Sequence, residues 1–198
     1  MKSTVTICHD ASQTAMPYRQ LAAFLPGAGI GGAGLHWSGV HFRVDAHRAA
    51  PAPLLRRALR QKLYPRRDEI QDFGVTYDEL RPFFNKAEKV FGTSGTPCSI
   101  KGRVIGKESC GNPFAPDRFH RFLLPAQKRT HSAQLFAEAA KSVGYYPYDL
   151  PSANTSGPYT NTYGAQMRPC NFCGYCSGYA CYMYLKASPN VNILPALR

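Results

Sequence analysis

The chain has 198 residues, 44% of them hydrophobic and 18% charged, a composition typical of a folded domain and not of a disordered chain. No apolar run reaches the ~20 residues that a membrane-spanning helix needs, and the first residues lack the apolar stretch of a secretory signal peptide. The net charge is +12, but eight basic residues and one acid fall within residues 43–67. This concentration favours a single basic helix over a nucleic-acid-binding surface, so no nucleic-acid partner is expected.

The N-terminal third of the chain predicts two regular elements. Residues 4–7 predict a short strand. Residues 51–63 predict an amphipathic helix, because leucines recur on one face and basic residues lie largely on the other.

Two further helices are expected in the middle of the chain. Thr76 and Glu79 fit a helix-capping box. Because a proline is poorly tolerated beyond the first helical turn, however, the continuous helix is expected to begin near Pro82 and to stop at Gly92.

The next helix is predicted over Ser132–Val143, with Leu135, Phe136 and Val143 facing inward and Gly144 as its stop. Between these helices, residues 95–130 show little periodicity and predict a long ordered loop.

A glycine-rich segment lies at residues 25–39, with five glycines from Gly27 to Gly34. The spacing formally matches G-x-G-x-x-G. Pro26 argues against a buried strand before it, and no clear helix follows, so the match to a dinucleotide-binding fingerprint is weak. A flat glycine surface under a large planar or phosphorylated ligand is the favoured interpretation. A purely structural turn remains the alternative.

Four of the seven cysteines fall within twelve residues in the pattern C-x2-C-x2-C-x4-C. They are Cys170, Cys173, Cys176 and Cys181. Tight loops of this spacing direct several thiolates at one iron–sulfur cluster. A structural zinc site normally uses two ligand pairs separated by a longer loop, so zinc ranks below both an iron–sulfur cluster and no metal at all.

Several motifs together resemble one family. They are MPY at 16–18, GGAGLHWSG at 31–39, TYDELRP at 76–82, GTSG at 92–95 and CNFCGYC at 170–176. In this order they resemble the flavoprotein subunit of membrane-bound gluconate 2-dehydrogenases, a group of the glucose–methanol–choline (GMC) oxidoreductases. The resemblance covers nearly the whole chain, and the ordered series is much more specific than any single motif.

The resemblance implies a mixed α+β fold, a loop-rich part of a GMC-type FAD-binding fold with several helices and an incomplete sheet. It implies FAD bound along the glycine segment. The cofactor-binding residues it implies are Gly31, Gly32, Gly34, His36 and Trp37.

The resemblance also implies a reaction and its setting. The CH–OH group of a sugar, sugar acid or polyol would be oxidised, and electrons would pass from the flavin through an iron–sulfur cluster to a cytochrome c subunit, with a small subunit also present. Such relatives carry a three-iron cluster, so one of the four cysteines would be spare. The implied location is periplasmic and membrane-associated.

The sequence departs from the family pattern in ways that predict an internal fragment. No βαβ unit with its own G-x-G-x-x-G precedes residue 13. The catalytic residues of the family are expected beyond Arg198, so the isolated chain is expected to be inactive. We expect one partial FAD-binding region, in which residues 1–45 hold the flavin-side glycine loop, 46–150 a helical and loop insertion, and 151–198 the cysteine-rich segment.

A rival function from another class stays open at this point. The chain is alternatively a small iron–sulfur or metal-binding electron-transfer module without flavin chemistry, docking through the basic residues 43–67. Flavin together with iron would favour the dehydrogenase, and iron alone would favour the module.

Overall fold

The computed structural model describes residues 5–7, 11–12, 14, 16–18, 27, 29–44, 74–105, 112 and 115–197. The basic helix expected at 51–63 lies outside these residues. In chain order the elements are β1 (Val5–Ile7), β2 (Met16–Tyr18), a 3-10 helix (Gly32–Leu35), α1 (Tyr77–Phe91), β3 (Ser99–Ile100), β4 (Arg103–Val104), α2 (His131–Ser142), β5 (Tyr159–Thr160), β6 (Gln166–Met167), α3 (Pro189–Asn192) and a second 3-10 helix (Leu194–Leu197).

The strands of the described residues form three separate two-stranded antiparallel sheets, β1–β2, β3–β4 and β5–β6. Their registers place Val5 opposite Tyr18, Ser99 opposite Val104 and Tyr159 opposite Met167. Helices and small antiparallel sheets together agree with the expected α+β class. No described helix is both long and apolar enough to cross a bilayer.

Helix α1 begins at Tyr77, so the start expected near Pro82 is wrong. The capping box is complete, because the Thr76 hydroxyl accepts from the backbone N–H of Glu79 and the Glu79 carboxylate accepts from the N–H of Thr76 at 2.7 Å. Pro82 lies inside the helix and cannot donate to the carbonyl of Asp78. Both residues are exposed, and a carbonyl on the solvent side of a helix can be hydrated instead, so the proline is tolerated.

Helix α2 forms where the sequence predicts it, but its apolar face does not point inward. Thr130 caps its first turn and Gly144 follows it with φ +84°. Phe136 is 72% exposed and Val143 68%, whereas Ala137 is buried. The 3.6-residue period therefore identified the helix correctly, but it carried no information about which elements pack against it.

The segment from Pro151 to Ser156 joins the parts of the chain that carry the site. His41 donates its backbone N–H to the Pro151 carbonyl at 2.9 Å, and Ser94 and Ser152 exchange a pair of backbone hydrogen bonds. On the other side, the N–H of Ala187 reaches the Ala153 carbonyl at 3.0 Å. This irregular segment thus holds the glycine segment, the end of α1 and the residues after the cysteines in one place.

A small apolar core lies beneath this junction. Its buried members are Ala153, Met167 and Ala187, and four partly buried side chains pack against them: Trp37, Phe91, Tyr159 and Val191. Much of the remaining buried surface is polar and is held by hydrogen bonds. Asn161, for example, donates to the carbonyls of Val90 and Asn192 and so ties the β5–β6 hairpin to α1 and α3.

Candidate cofactor and metal site

The glycine segment folds as a tight turn that leads into the four-residue 3-10 helix. Gly29, Gly31 and Gly32 have φ values of +120°, +97° and +52°, in the region that favours glycine. The Gly29 carbonyl accepts the N–H of Gly32 at 3.1 Å, and the Gly31 carbonyl accepts the N–H of Gly34 at 3.1 Å. A 3-10 helix of this length is not the helix that opens a dinucleotide-binding βαβ unit, in agreement with the weak fingerprint.

The expected cofactor-binding glycines differ in what surrounds them. Within the described residues, a Cβ on Gly32 would meet no atom within 4 Å, whereas one on Gly31 would lie 3.1 Å from the Leu35 side chain. A Cβ on Gly34 would lie only 2.8 Å from the Pro189 ring. Gly34 is thus required by packing within the chain. Gly32 is the position where the backbone faces open space.

His36 carries an unsatisfied polar atom. Its Nε2 is buried and finds no hydrogen-bond partner among the residues that the structure describes, while its carbonyl accepts the N–H of Gly178 at 3.2 Å. A buried ring nitrogen without a partner carries a desolvation cost, so it fits a group that is bound when the cofactor is present. The open backbone at Gly32 and this unpaired nitrogen are the two features of the segment that a bound flavin could use.

Trp37 faces the interior. Its indole Nε1 donates to the Val40 carbonyl at 3.0 Å, and its ring packs edge-on against Phe91 and His41. The polar and apolar parts of this side chain are therefore used within the core. The structure assigns Trp37 a place in holding the glycine segment against α1, which sequence reasoning did not anticipate.

The four clustered cysteines are free thiols, each partly buried. Backbone N–H groups approach two of the sulfurs, Phe172 N–H to Cys170 at 3.5 Å and Leu185 N–H to Cys181 at 3.3 Å. Asn154 Nδ2 lies 3.6 Å from the sulfur of Cys176. Hydrogen bonds to sulfur are a feature of iron–sulfur sites, where they tune the cluster.

The thiols of the cysteine loop, residues 170–181, are not gathered around one point. Among the residues that the structure describes, no group of three or more His, Cys, Asp or Glu side chains is arranged to hold a metal ion. Burial raises the pKa of the Cys176 thiol, and the neighbouring Cys170 raises it further, while Lys186 opposes them. The loop therefore has the donor atoms of a thiolate-bound centre but not, in this structure, the arrangement of one.

Lys186 connects the two motifs. The side chain is buried, and its Nζ donates to the carbonyls of Leu35 at 3.1 Å and of Trp37 in the glycine segment. The same atom reaches the carbonyls of Tyr179 at 2.9 Å and Cys176 at 3.4 Å in the cysteine loop. The glycine segment and the cysteine loop, far apart in sequence, are thereby in direct contact.

Sequence reasoning counted Lys186 among the residues of the family resemblance but assigned it no role. It also missed that Cys98 is disulfide-bonded. No short spacing marks such a pairing, because partners are brought together by the fold.

A cluster of three buried charged side chains, Arg43, Glu88 and Arg118, lies close to His41. Arg43 donates from Nε and Nη2 to the two Glu88 carboxylate oxygens, each at 2.7 Å, and Arg118 forms a second fork on the same carboxylate. Burial alone would raise the pKa of Glu88, but the hydrogen bonds from both arginines outweigh it and the pKa is lowered. Nearby, His41 Nδ1 lies 2.7 Å from the Thr93 hydroxyl, and burial lowers the pKa of this histidine.

Comparison with known proteins shows that the whole chain is similar to part of one flavoprotein. No family model matches it. The gluconate 2-dehydrogenase flavoprotein of Pantoea cypripedii is 73% identical to it over 202 residues, an alignment that covers 100% of this chain and 32% of the relative. The chain therefore spans about a third of the length of the curated relative that it matches. The resemblance to the flavoprotein subunit of gluconate 2-dehydrogenases is confirmed, and the chain is homologous to that part of it.

Proposed function

We propose that this chain forms the flavin-side and cysteine-loop portion of an FAD-dependent dehydrogenase that oxidises the CH–OH group of a sugar, sugar acid or polyol. The observation that carries the proposal is 73% identity, over the entire chain, to a protein named as a gluconate 2-dehydrogenase flavoprotein. At this identity the backbone and the site residues are expected to be shared. The FAD would accept hydride from the substrate carbon.

The roles of the chain's own residues follow from their geometry. The open backbone at Gly32 offers a surface without side chains, on which a planar ring can approach to van der Waals distance. His36 Nε2 supplies a hydrogen-bonding atom that the protein leaves unsatisfied. Gly34 and Trp37 hold this surface in position through Pro189 and Phe91.

The electron-transfer role is proposed for the cysteine loop. Four free thiols in this spacing, with N–H groups directed at sulfur, support an iron–sulfur centre that passes electrons onward to a cytochrome c subunit. The contact between cysteine loop and glycine segment supports a short route between the two cofactors. The Cys98 disulfide supports a periplasmic location, because disulfides persist in oxidising compartments.

A replacement chimera tests the dehydrogenase. This chain would replace the matching third of the Pantoea cypripedii flavoprotein, and the purified product would be assayed for bound FAD and for gluconate oxidation with an artificial acceptor. Retained FAD and turnover are expected. A chimera that folds and binds iron but neither binds flavin nor oxidises gluconate would support the rival electron-transfer module instead.

The iron–sulfur assignment has its own test in the same chimera. Cys173→Ser is expected to remove iron and sulfide and the broad visible absorbance that they give. Ser177→Ala, an exposed position in the same loop, is the matched control and should leave iron content unchanged. Equal iron content in the two variants would overturn the assignment.

A further inference from the structure

An apolar groove lies between helix α1 and the second 3-10 helix (Leu194–Leu197). It has a volume of about 460 Å³, and Lys86 is the only charged residue among the nine that line it. We call this surface the α1 groove. Its large apolar members are Phe83, Val90 and Phe91 of α1, Tyr163 of the β5–β6 hairpin, and Ile193 and Leu197 near the end of the described residues.

Much of the apolar lining of the α1 groove is exposed. Phe83 is 68% exposed, Tyr163 50% and Leu197 75%, whereas Val90 is buried. Single exposed apolar side chains are common on protein surfaces, but several around one groove are typical of a surface that contacts a partner. The α1 groove is therefore an interaction surface whose occupant has to be identified.

The α1 side of the groove follows a helical stripe. Phe83, Ala87 and Val90 stand at positions i, i+4 and i+7, so they share one face of the helix. A helix of a globular protein buries such a stripe against another element. At Val90 the chain itself achieves this burial, but at Phe83 no described element covers the stripe.

Two kinds of occupant do not suit this lining. A small-molecule site combines apolar walls with several convergent polar groups, whereas Lys86 and the hydroxyl of Tyr163 are the polar side-chain groups of this groove. A second copy of the chain would need a larger contact, because a stable interface uses about 20–30 residues on each side. The α1 groove has nine.

The length of the flavoprotein relative points to another occupant. The region that matches this chain is 32% of that protein, so about two-thirds of its polypeptide lies outside the matched region. Permanent interfaces are more hydrophobic than transient ones and resemble a domain core that has been divided. The nearly uncharged lining of the α1 groove has this character.

We propose that the α1 groove is an internal interface of the longer flavoprotein, filled by apolar side chains from the part of that polypeptide outside residues 1–198. The proposal rests on the proposed function only in that the chain is a portion of such a flavoprotein. It depends neither on the reaction nor on a bound cofactor. In the whole protein, Phe83, Tyr163 and Leu197 are then covered, and α1 has a packing partner along its exposed stripe.

Cysteine labelling in the chimera tests whether the groove is covered. Phe83→Cys and Lys89→Cys are each treated with a maleimide, and the labelled peptides are quantified by mass spectrometry, which separates them from the native cysteines. Lys89 is the matched control, because it is exposed on the same helix and does not line the groove. Phe83→Cys should react at least about tenfold more slowly than Lys89→Cys, because its labelling requires the interface to open locally. Similar rates at the two positions would overturn the proposal.

Photo-crosslinking identifies what fills the groove. Replacement of Phe83 by p-benzoylphenylalanine in the chimera keeps an aromatic ring at this position and links it to its neighbours on irradiation. The expected product is a crosslink, within one polypeptide, to a peptide from the Pantoea cypripedii part of the chimera. A crosslink to a peptide of residues 1–198, a crosslinked dimer or the absence of any crosslink would each overturn the proposal.

These results are distinguishable from failure of the proposed dehydrogenase. A chimera that protects Phe83→Cys but has neither FAD nor turnover would refute the proposed reaction and support the interface. A chimera that oxidises gluconate but labels Phe83→Cys as fast as Lys89→Cys would refute the interface alone. Rapid labelling at both positions in a chimera without FAD would overturn both.

Discussion

Gly34 packs directly against the ring of Pro189, so closely that a Cβ on Gly34 would lie 2.8 Å from Cδ of the proline. The contact joins the 3-10 helix of the glycine segment to the start of α3 (Pro189–Asn192). The sequence associates Gly34 with cofactor binding, but the packing of the chain alone already requires a glycine at this position.

Gly34→Ala is expected to destabilise the chain by about 1–3 kcal/mol, the usual cost of forcing an extra methyl group into a packed contact. The measurement is urea denaturation of the purified chain. The double variant Gly34→Ala/Pro189→Ala should recover much of the loss, because the second change removes the ring. If the losses of stability from the two single substitutions simply add in the double variant, the Gly34–Pro189 contact is not the cause of the destabilisation.

Gly32→Val in the chimera is expected to lose bound FAD and turnover together. A Cβ at this position meets no atom within 4 Å in the part of the chain that the structure describes, so a clash is expected only with the bound ring. Flavin absorbance and activity with an artificial acceptor are the measurements.

The matched control for that variant is Gly144→Val. Gly144 also has a positive φ, +84°, and open space around its Cβ position, but it follows α2. It carries the same kind of backbone strain, about 1–2 kcal/mol, without facing the glycine segment. If both variants lose FAD equally, strain and not the cofactor surface explains the loss.

Glu88→Gln is expected to destabilise the chain by about 3–5 kcal/mol, because the change leaves two buried guanidinium groups without their counter-ion. The side chains of Arg43 and Arg118 are only 4% and 6% exposed, so water does not compensate. Asp78→Asn is the control, since its ion pair with Arg81 lies at an exposed carboxylate. Equal losses in the two variants would contradict the role of burial.

The pKa of Glu88 also fixes a direction with pH. Because the folded-state pKa lies below the unfolded one, the stabilisation is fully present above the ordinary glutamate pKa of about 4.3 and is lost as the pH falls through the folded value. Carboxylates titrate between about pH 6 and about pH 3. Over this range the urea denaturation midpoint of the wild type should fall steeply. The slope should be smaller in Glu88→Gln.

His41 predicts a second loss of stability on acidification, which begins at a higher pH than the loss due to Glu88. Burial lowers its folded-state pKa, opposed by Glu88 and assisted by Arg43 and Arg118. The unfolded chain therefore binds a proton first, and stability should decline as the pH falls below about 6.5. His41→Asn, which keeps a polar group near Thr93, should flatten this part of the profile. A profile as steep in His41→Asn as in the wild type would contradict the role of His41.

The sequence by itself determined those elements whose signals lie within a few consecutive residues. The capping box at Thr76, which the Pro82 argument wrongly set aside, and the stops at Gly92 and Gly144 mark α1 and α2, because a helix terminus is decided by the few backbone groups around it. The strand at β1 formed as expected. The two chemical motifs, the glycine segment and the cysteine loop, were also identifiable, since each lies within about fifteen consecutive residues.

Tertiary structure alone decided how these pieces meet. Lys186 joins two motifs that are far apart in the chain. Glu88 forms ion pairs with Arg43 and Arg118, and the ring of Trp37 packs against Phe91. The exposure of Phe136 on α2 was decided in the same way, because an amphipathic pattern specifies a face but not its neighbour. Such contacts depend on long-range packing, to which local propensity and spacing give no direct access.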